Sequence, residues 1–425
     1  MPRRPRARHL ELRQKLAAGK DKRKAAWDLT LPRPAVVPAM LDQFGKLSAT
    51  GPSGGGPVQL WRSTNVTFID AHGVEEEGVD EGGLTREMHG APRAPHLDSP
   101  TPEQAGTWAV RRRAPLGPVA GLFWSEVCKA EHGLFEQRED GRYLPRVGAP
   151  LEHLEAAGRV LLKSVIDDHP TGRQLGRFLF EFLSGSHERR VFDRPLRAIE
   201  ALDDFDPQLA RTWRWAVDEA RTDEELGALT LDMFDETLGE GAVTRANVAA
   251  AILAGCRRVL LSERRTQLEA LRHGFTFQDS VDLQLQLAPI PCSQLMLLVR
   301  GKDELSAADL LGCFDLAAEV RCAAVAGYLR ELIVHALEEE ERWQLLRWCT
   351  SRSALPATGL DPQDRVTLVF KETPSGGAPA DQWLPVAHTC TSEVELPAYS
   401  CRAALERQLR RAMSDMASGG GFGEL

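Results

Sequence analysis

The sequence predicts an α+β protein in which a long, mainly helical body is followed by a strand-bearing unit at the C-terminal end. Three observations predict it. Apolar residues recur at helical spacing through most of residues 151 to 271, Arg365 to Phe370 alternates as a strand, and 425 residues are enough to split into two or more subdomains.

Taken in order, residues 1 to 45 read as helical, with breaks at Pro32 to Pro38. Ser48 to Pro57 is a glycine-rich loop, and Asn65 to Asp70 alternates as a strand. Gly73 to Gly83 forms an acidic, glycine-punctuated turn from which Leu84 to Met88 opens a helix. Residues 89 to 120 are rich in Pro, Arg and Gly and read as irregular. Helical spacing then runs from Leu151 to Leu183 and from Asp206 to Glu219, followed by a strand-like patch at Leu229 to Phe234. Val243 to Asn247 introduces a helix that reaches about Leu271. Gln294 to Val299 and Ala307 to Leu311 give short helices, and Ala323 to Trp348 a longer, interrupted one. Lys371 to Gln382 is a Pro/Gly-rich loop, and Cys401 to Met416 is again helical.

Composition removes several classes of function. No apolar run approaches the roughly 18 residues that cross a bilayer, and the basic N-terminus lacks the apolar core of a secretory signal. The eight cysteines have no regular spacing and no Cys-x-x-Cys, against a disulfide framework or a zinc site. Reduced thiols in a cytoplasmic or nuclear protein fit that pattern. A net charge of -9 argues against nucleic-acid binding by the whole chain, although residues 1 to 27 form a basic segment of reversed sign. That segment reads as a solvated helix, a nuclear-import signal or a nucleic-acid contact.

Among the thiols, Cys390 is the first candidate for a nucleophile. It follows Leu384-Pro385-Val386-Ala387-His388-Thr389 in a loop between the strand and the last helix, where a thiol can reach solvent. His388, two residues earlier, reads as an orienting or packing residue or as a general base. The other cysteines read as small buried hydrophobes, with Cys401 a second candidate because it starts a helix. The acidic turn Glu75 to Gly83 does not place its carboxylates at calcium-loop positions, and the glycine-rich tail Ser418 to Gly423 lacks the Lys-Ser/Thr of a phosphate loop. No metal site and no cofactor is expected.

Several motifs carry a family resemblance. Leu384 to Cys390 with Leu396-Pro397-x-Tyr399-Ser400, and Glu77-Gly78-Val79-Asp80-Glu81-Gly82-Gly83-Leu84-Thr85-Arg86-Glu87, resemble the catalytic domain of HECT-type ubiquitin ligases over about residues 28 to 425. Weaker matches follow in order at Gly158 to Lys163, Asp206-Pro207, Val243-Thr244-x-x-Asn247, Gly274-Phe275 and Thr350 to Pro356. The chain also ends with Phe422 four residues from the terminus, as the family does.

The resemblance implies a bilobal fold. A mainly helical larger lobe (28–313), with a conjugating-enzyme-binding subdomain at about 204–275, is joined by a hinge at 314–315 to a smaller α/β lobe (316–425). It implies a ligase that takes ubiquitin from a conjugating enzyme as a thioester on Cys390 and passes it to substrate lysines. His388 and Thr389 belong to the catalytic loop and Phe422 serves lysine transfer. The rival reading is a weakened, HECT-derived module that binds ubiquitin or a conjugating enzyme without transfer. Departures from the family pattern are specific. Thr391 and Ser392 stand where an aromatic and then Asn are usual, Ser351 and Ala354 where Gly and a basic residue are usual, and the Phe-Trp pair is missing around Tyr328 to Leu332. Ala251 and Gly255 occupy the places of the aromatics that dock the conjugating enzyme, with Phe234 and Phe275 as compensating contacts. Weaker or altered selection of that enzyme is the expectation, with charging increased by Phe at 251 and Tyr at 255.

Overall fold

The computed structural model describes residues 27–32, 35–47, 60, 62, 64–69, 114–172, 174–276, 289–316, 323–371, 379–389 and 392–417. They divide into two compact units. One is drawn from 1–27, 35–63 and 120–301, the other from 28–34, 64–119 and 302–425. Helices and strands mix as the α+β reading requires.

The first unit is organised around α3 (Leu151–Asp167) and α9 (Arg265–Phe275), which pack on each other more extensively than any other described pair. Two glycines allow it. A Cβ on Gly158 would lie 2.2 Å from the Leu271 carbonyl oxygen, and one on Gly274 would lie 1.9 Å from the Glu155 carbonyl oxygen. The helices therefore meet backbone to backbone, an approach that no side chain permits. From that crossing α3 reaches back to α1 (Val36–Gly45), whose last carbonyls, Phe44 and Gly45, accept from Arg159 at 2.8 and 3.0 Å. A cation at a helix C-terminus satisfies orphan carbonyls and complements the dipole. One turn on, the fully buried Lys163 donates to the Arg62 carbonyl at 2.6 Å and pairs with Asp167 at 2.9 Å.

A second buried cation joins the short hairpin β4 (Phe135–Glu136) and β5 (Leu144–Pro145) to the helices. Arg264, wholly buried just before α9, donates to Glu136, to the Pro145 carbonyl and to the Val259 carbonyl at 2.7 to 2.9 Å. Its guanidinium also lies 4.7 Å from the Phe205 ring centre. Around these sit α2 (Leu116–Val127), α4 (Arg177–Leu183), α5 (His187–Arg190), α6 (Pro195–Asp203), α7 (Pro207–Asp218), α8 (Val248–Leu260) and α10 (Cys292–Arg300). Proline opens both α6 and α7, and Asp206 caps α7 by accepting from the Leu209 amide at 3.0 Å.

The second unit holds a sheet in the order β6 (Phe314–Asp315), β7 (Val366–Lys371), β9 (Glu393–Pro397), β8 (Val386–His388). The first three strands are parallel and β8 runs antiparallel to β9 at the edge. Val366, Leu368, Val394 and Leu396 turn inward onto α12 (Ala323–His335), α13 (Glu339–Thr350) and α14 (Arg402–Ala417), where Leu329, Leu332, Leu346 and Leu409 complete one buried cluster. The short α11 (Ala307–Leu311) precedes the sheet. The break expected inside Ala323 to Trp348 falls at residues 336–338, where Glu338 and Glu341 form a reciprocal capping box. A separate sheet runs β1 (Trp27–Pro32), β2 (Thr64–Ile69), β3 (Ala114–Pro115).

Three expectations of local structure fail. Trp27–Pro32 is a strand where helix is expected, because Leu29 and Leu31 bury with a period of two. The strand-like Leu229 to Phe234 makes one bridge, Thr230 to Ala242, and then a 3-10 turn over Leu231–Met233. Helix α2 begins inside the stretch expected to be irregular up to residue 120. The acidic turn and the motif Glu77 to Glu87 lie outside the described residues.

Gly158→Ala is expected to lower the unfolding free energy by more than the roughly 1–3 kcal/mol of ordinary overpacking, since a carbonyl rather than a rotatable side chain stands in the way. Gly327, inside α12 with open space at its Cβ position, is the contrast: Gly327→Ala should gain about 0.5–1 kcal/mol. Urea titrations of the two variants against the parent measure both.

Candidate active site

The strand pair β8–β9 frames the loop that carries the candidate nucleophile. Cys390 and Thr391, which fall between these strands in the sequence, lie outside the described residues, as does Phe422, but both strands are described. His388 and Thr389 are half-buried at the end of β8, and His388 Nε2 stands 3.3 Å from Glu395 Oε1 on β9. The His388 ring therefore has a carboxylate partner one strand away.

The base of the hairpin is tied shut. Tyr399 donates its hydroxyl to the Trp383 carbonyl at 2.8 Å, and burial pushes that phenol above its usual range. The Asp381 carboxylate accepts from the Ser400 hydroxyl and amide at 2.5 and 2.8 Å, and Gln408 on α14 donates to the Asp381 carbonyl at 2.8 Å. The Ser400 hydroxyl first, and then its amide, hold the Asp381 carboxyl below the usual carboxylate range. The chain enters β8 and leaves β9 through one knot of hydrogen bonds, so the intervening loop is closed at both ends. The sequence pattern Leu-Pro-x-Tyr-Ser flags part of this knot; Asp381 and Gln408 carry no such signal.

The remaining thiols separate cleanly. Cys128, Cys256, Cys292, Cys313 and Cys349 are buried. Burial pushes the thiols of Cys128, Cys292 and Cys313 up to about 12, and those of Cys256 and Cys349 are also raised by burial. A thiol in that state yields no nucleophilic thiolate at neutral pH. Cys322 lies outside the described residues. Cys401 departs from the expectation of burial: it is exposed, just ahead of α14.

The profile of the HECT-domain (ubiquitin-transferase) family matches residues 121–423. The chain belongs to the HECT family. Relatives include a bifunctional serine/threonine-protein kinase/NEDD4-like E3 ubiquitin-protein ligase of Dictyostelium discoideum, 27% identical over 57% of this chain and 12% of that protein. The E3 ubiquitin-protein ligase ptr1 of Schizosaccharomyces pombe is 24% identical over 83% of this chain and 10% of its own length. The E3 ubiquitin-protein ligase etc-1 of Caenorhabditis elegans is 23% identical over 84% of this chain and 33% of its own. The chain thus spans between about a tenth and a third of these relatives.

Two departures from the HECT pattern acquire a physical meaning. Ser351, where Gly is usual, and Ser392, where Asn is usual, both adopt left-handed backbone, with φ of 56° and 53°. Ser351 ends α13 and its amide donates to the Arg347 carbonyl at 2.8 Å; the Ser392 carbonyl accepts from the Thr367 amide on β7 at 2.8 Å. Glycine and asparagine tolerate that conformation best among the residues, and serine bears a steric cost there. The family's asparagine after the cysteine thus has a backbone reason.

The four residues expected to meet the conjugating enzyme are placed in the interior. Ala251, Phe234 and Phe275 are 1 to 2% exposed. Gly255 faces Trp213 of α7: a Cβ there would sit 2.7 Å from Trp213 Cη2 and 3.2 Å from Phe234 Cβ. The rings of Trp213 and Phe234 lie 5.2 Å apart, tilted by 36°, beside position 255. Ala251, Gly255, Phe234 and Phe275 are thus all buried within this unit, and a large side chain at 255 would overlap Trp213.

Ser351→Gly and Ser392→Asn should each stabilise the second unit by about 1 kcal/mol, read as a rise in thermal midpoint. The variant carrying Ala251→Phe and Gly255→Tyr should unfold at lower denaturant than the parent and gain no activity. A stable double variant with faster ubiquitin charging would refute the packing account.

Proposed function

We propose that this chain is the catalytic region of a ubiquitin-protein ligase and that Cys390 is its thioester cysteine. The observation that carries the reading is the family match running from residue 121 through the Cys390 loop to residue 423. The Cys390 thiolate adds to the carbonyl of the thioester between ubiquitin and a conjugating enzyme, and the tetrahedral adduct expels that enzyme's thiolate. A substrate lysine amine then attacks the new thioester, loses a proton and forms the isopeptide bond as the Cys390 thiolate leaves. Thioester exchange is nearly isoenergetic, so the protein's contribution is positioning and stabilisation of thiolate and oxyanion.

In this reading residues 28–313 form the larger lobe and 316–425 the smaller, and a hinge at 314–315 lets one cysteine visit donor and acceptor. His388 and Thr389 complete the catalytic loop and Phe422 serves the lysine step. The conjugating enzyme docks on the subdomain at about 204–275, through apolar side chains that face outward. Met233, Leu238 and Trp215, which are 56, 40 and 38% exposed, replace the four buried residues in that role. A reducing compartment, cytoplasm or nucleus, keeps the thiols free. The rival reading, a module that binds without transfer, is favoured by the strained Ser392 beside the nucleophile.

Incubation with ubiquitin-charged conjugating enzyme separates the readings. The parent should form a thiol-sensitive ubiquitin adduct, Cys390→Ser a thiol-resistant ester, and Cys390→Ala none. Phe422→Ala should keep the adduct and slow its transfer to lysine. No adduct across a panel of conjugating enzymes would establish the binding module instead.

A further inference from the structure

One surface of the first unit runs against the acidic character of the chain. Helix α5 presents Arg189 and Arg190, α8 presents Arg257, and α9 presents Arg265 and Arg272, all exposed or half-exposed. That α8, α9 and α5 bring these charges together is visible at His187. Burial pushes its imidazole below the usual range; Glu188 opposes the shift, and Arg272, Arg265 and Arg257 reinforce it. Three cations from two helices thus act on one ring at the start of α5.

The counter-charge is thin. Glu188 binds Arg257 at 2.6 Å. The other carboxylates nearby are engaged elsewhere: Glu263 by Arg258, Asp193 by Arg197, and the buried Glu181 by the Ser186 hydroxyl. Glu269 lies one turn from Arg265 on α9 without pairing to it. Arg189, Arg190, Arg265 and Arg272 make no ion pair with a described carboxylate, in a chain of net charge -9. Two of the guanidinium groups are also held in place. Arg257 lies 4.5 Å from the Phe192 ring centre and Arg272 lies 4.6 Å from that of Phe182. Stacking on an aromatic face fixes the plane of a guanidinium; the Arg257 edge already holds Glu188, and the Arg272 edge makes no ion pair with a described carboxylate. Less side-chain freedom is then lost on binding an anion.

We propose that this arginine surface docks an acidic segment of a protein substrate, through side-chain carboxylates or phosphates. The partner's role as a substrate rests on the ligase reading; the docking itself does not, and is tested without activity. Nucleic acid is the competing polyanion, and the oligonucleotide in the test below separates it from an acidic peptide.

Fluorescent twelve-residue peptides of one sequence frame, carrying glutamates, phosphoserines or glutamines, are titrated with the full chain by anisotropy, beside a single-stranded oligonucleotide of equal charge. Saturable binding of the glutamate or phosphoserine peptide is expected, at least tenfold tighter than the glutamine peptide or the oligonucleotide and weakening with salt. Which of the two anionic peptides binds tighter identifies the source of the charge. Arg189→Glu/Arg190→Glu, at side chains without bonds in the fold, should weaken binding at least tenfold with an unchanged melting temperature. Arg265→Glu should do the same, whereas Arg411→Glu in the second unit should leave binding as it is. Equal binding of acidic and neutral peptides, oligonucleotide binding as tight as the peptide's, or indifference to the α5 variant would overturn the proposal. Cys390 charging would be untouched by such a failure, and a chain that binds the peptide but never charges Cys390 would refute only the ligase reading.

Discussion

The contact on which the first unit depends is the backbone-to-backbone crossing of α3 and α9 at Gly158 and Gly274. Because neither helix can carry a side chain there, the distance between their axes is set by carbonyls rather than by packing that could relax. Everything built on α3 inherits that position. Arg159 is the next residue after the crossing glycine, and its bonds to the end of α1 exist only if α3 lies close. Lys163 follows one turn later with Arg62 and Asp167. Gly141 repeats the device on a smaller scale: a Cβ there would meet the Phe205 carbonyl oxygen at 2.1 Å, next to the ring on which Arg264 rests.

Buried cations are a costly way to join elements, since desolvation can exceed the attraction gained. Arg159, Lys163 and Arg264 are each bound by more than one acceptor, and most of those acceptors are backbone carbonyls. Arg264 binds two carbonyls as well as Glu136, and Arg159 binds two as well as Glu155. A carbonyl is fixed by its own helix or strand, so such a bond specifies where that element must lie. Replacing the cation by an apolar residue would retain bulk but lose that positional information, and would leave the carbonyls buried without donors. The second unit adds neutral groups to a cation, Arg342, that binds the Leu305 and Leu337 carbonyls. Tyr399, Ser400 and Gln408 close the base of the β8–β9 hairpin on Trp383 and Asp381.

Much of this was legible as position but not as cause. The weak family matches fall on the places where backbone is pinned. Gly158 and Gly274 prove to be two halves of one contact. Asp206-Pro207 is a helix cap, and Asn247 accepts from the Thr244 amide at 2.7 Å while donating to the Ala242 carbonyl at 3.0 Å, forming the turn that opens α8. Thr350 bonds the Arg352 amide at 3.2 Å around the left-handed Ser351. Helical periodicity located most of the helices, since it reports burial on one face. It missed the strand at Trp27–Pro32 because six residues of alternation weigh little beside the helical pattern flanking them, and it missed α5 because four residues have no period. The interior fate of Ala251 and Gly255 was not readable at all. At Gly255 it depends on Trp213, some forty residues away in sequence, and no local pattern on α8 reports it.

That last case bears on how a partner site changes within one fold. A helix that offers two aromatics to a partner needs its neighbours to leave the flank open. Here α7 supplies Trp213 and the 3-10 turn supplies Phe234, and they fill the flank from inside. Once the tryptophan occupies that volume, a large residue at position 255 is excluded by overlap at the Cβ itself, before any question of affinity arises. The glycine and the tryptophan are therefore one feature, and neither can be exchanged alone. Any surface that the subdomain retains for a partner has to be assembled from residues outside this stack, which is where Met233 and Leu238 remain exposed. The buried state of position 255 thus follows from how Trp213 and Phe234 pack against α8, and the side chains that packing leaves facing water, Met233 and Leu238 among them, define the outer surface beside it.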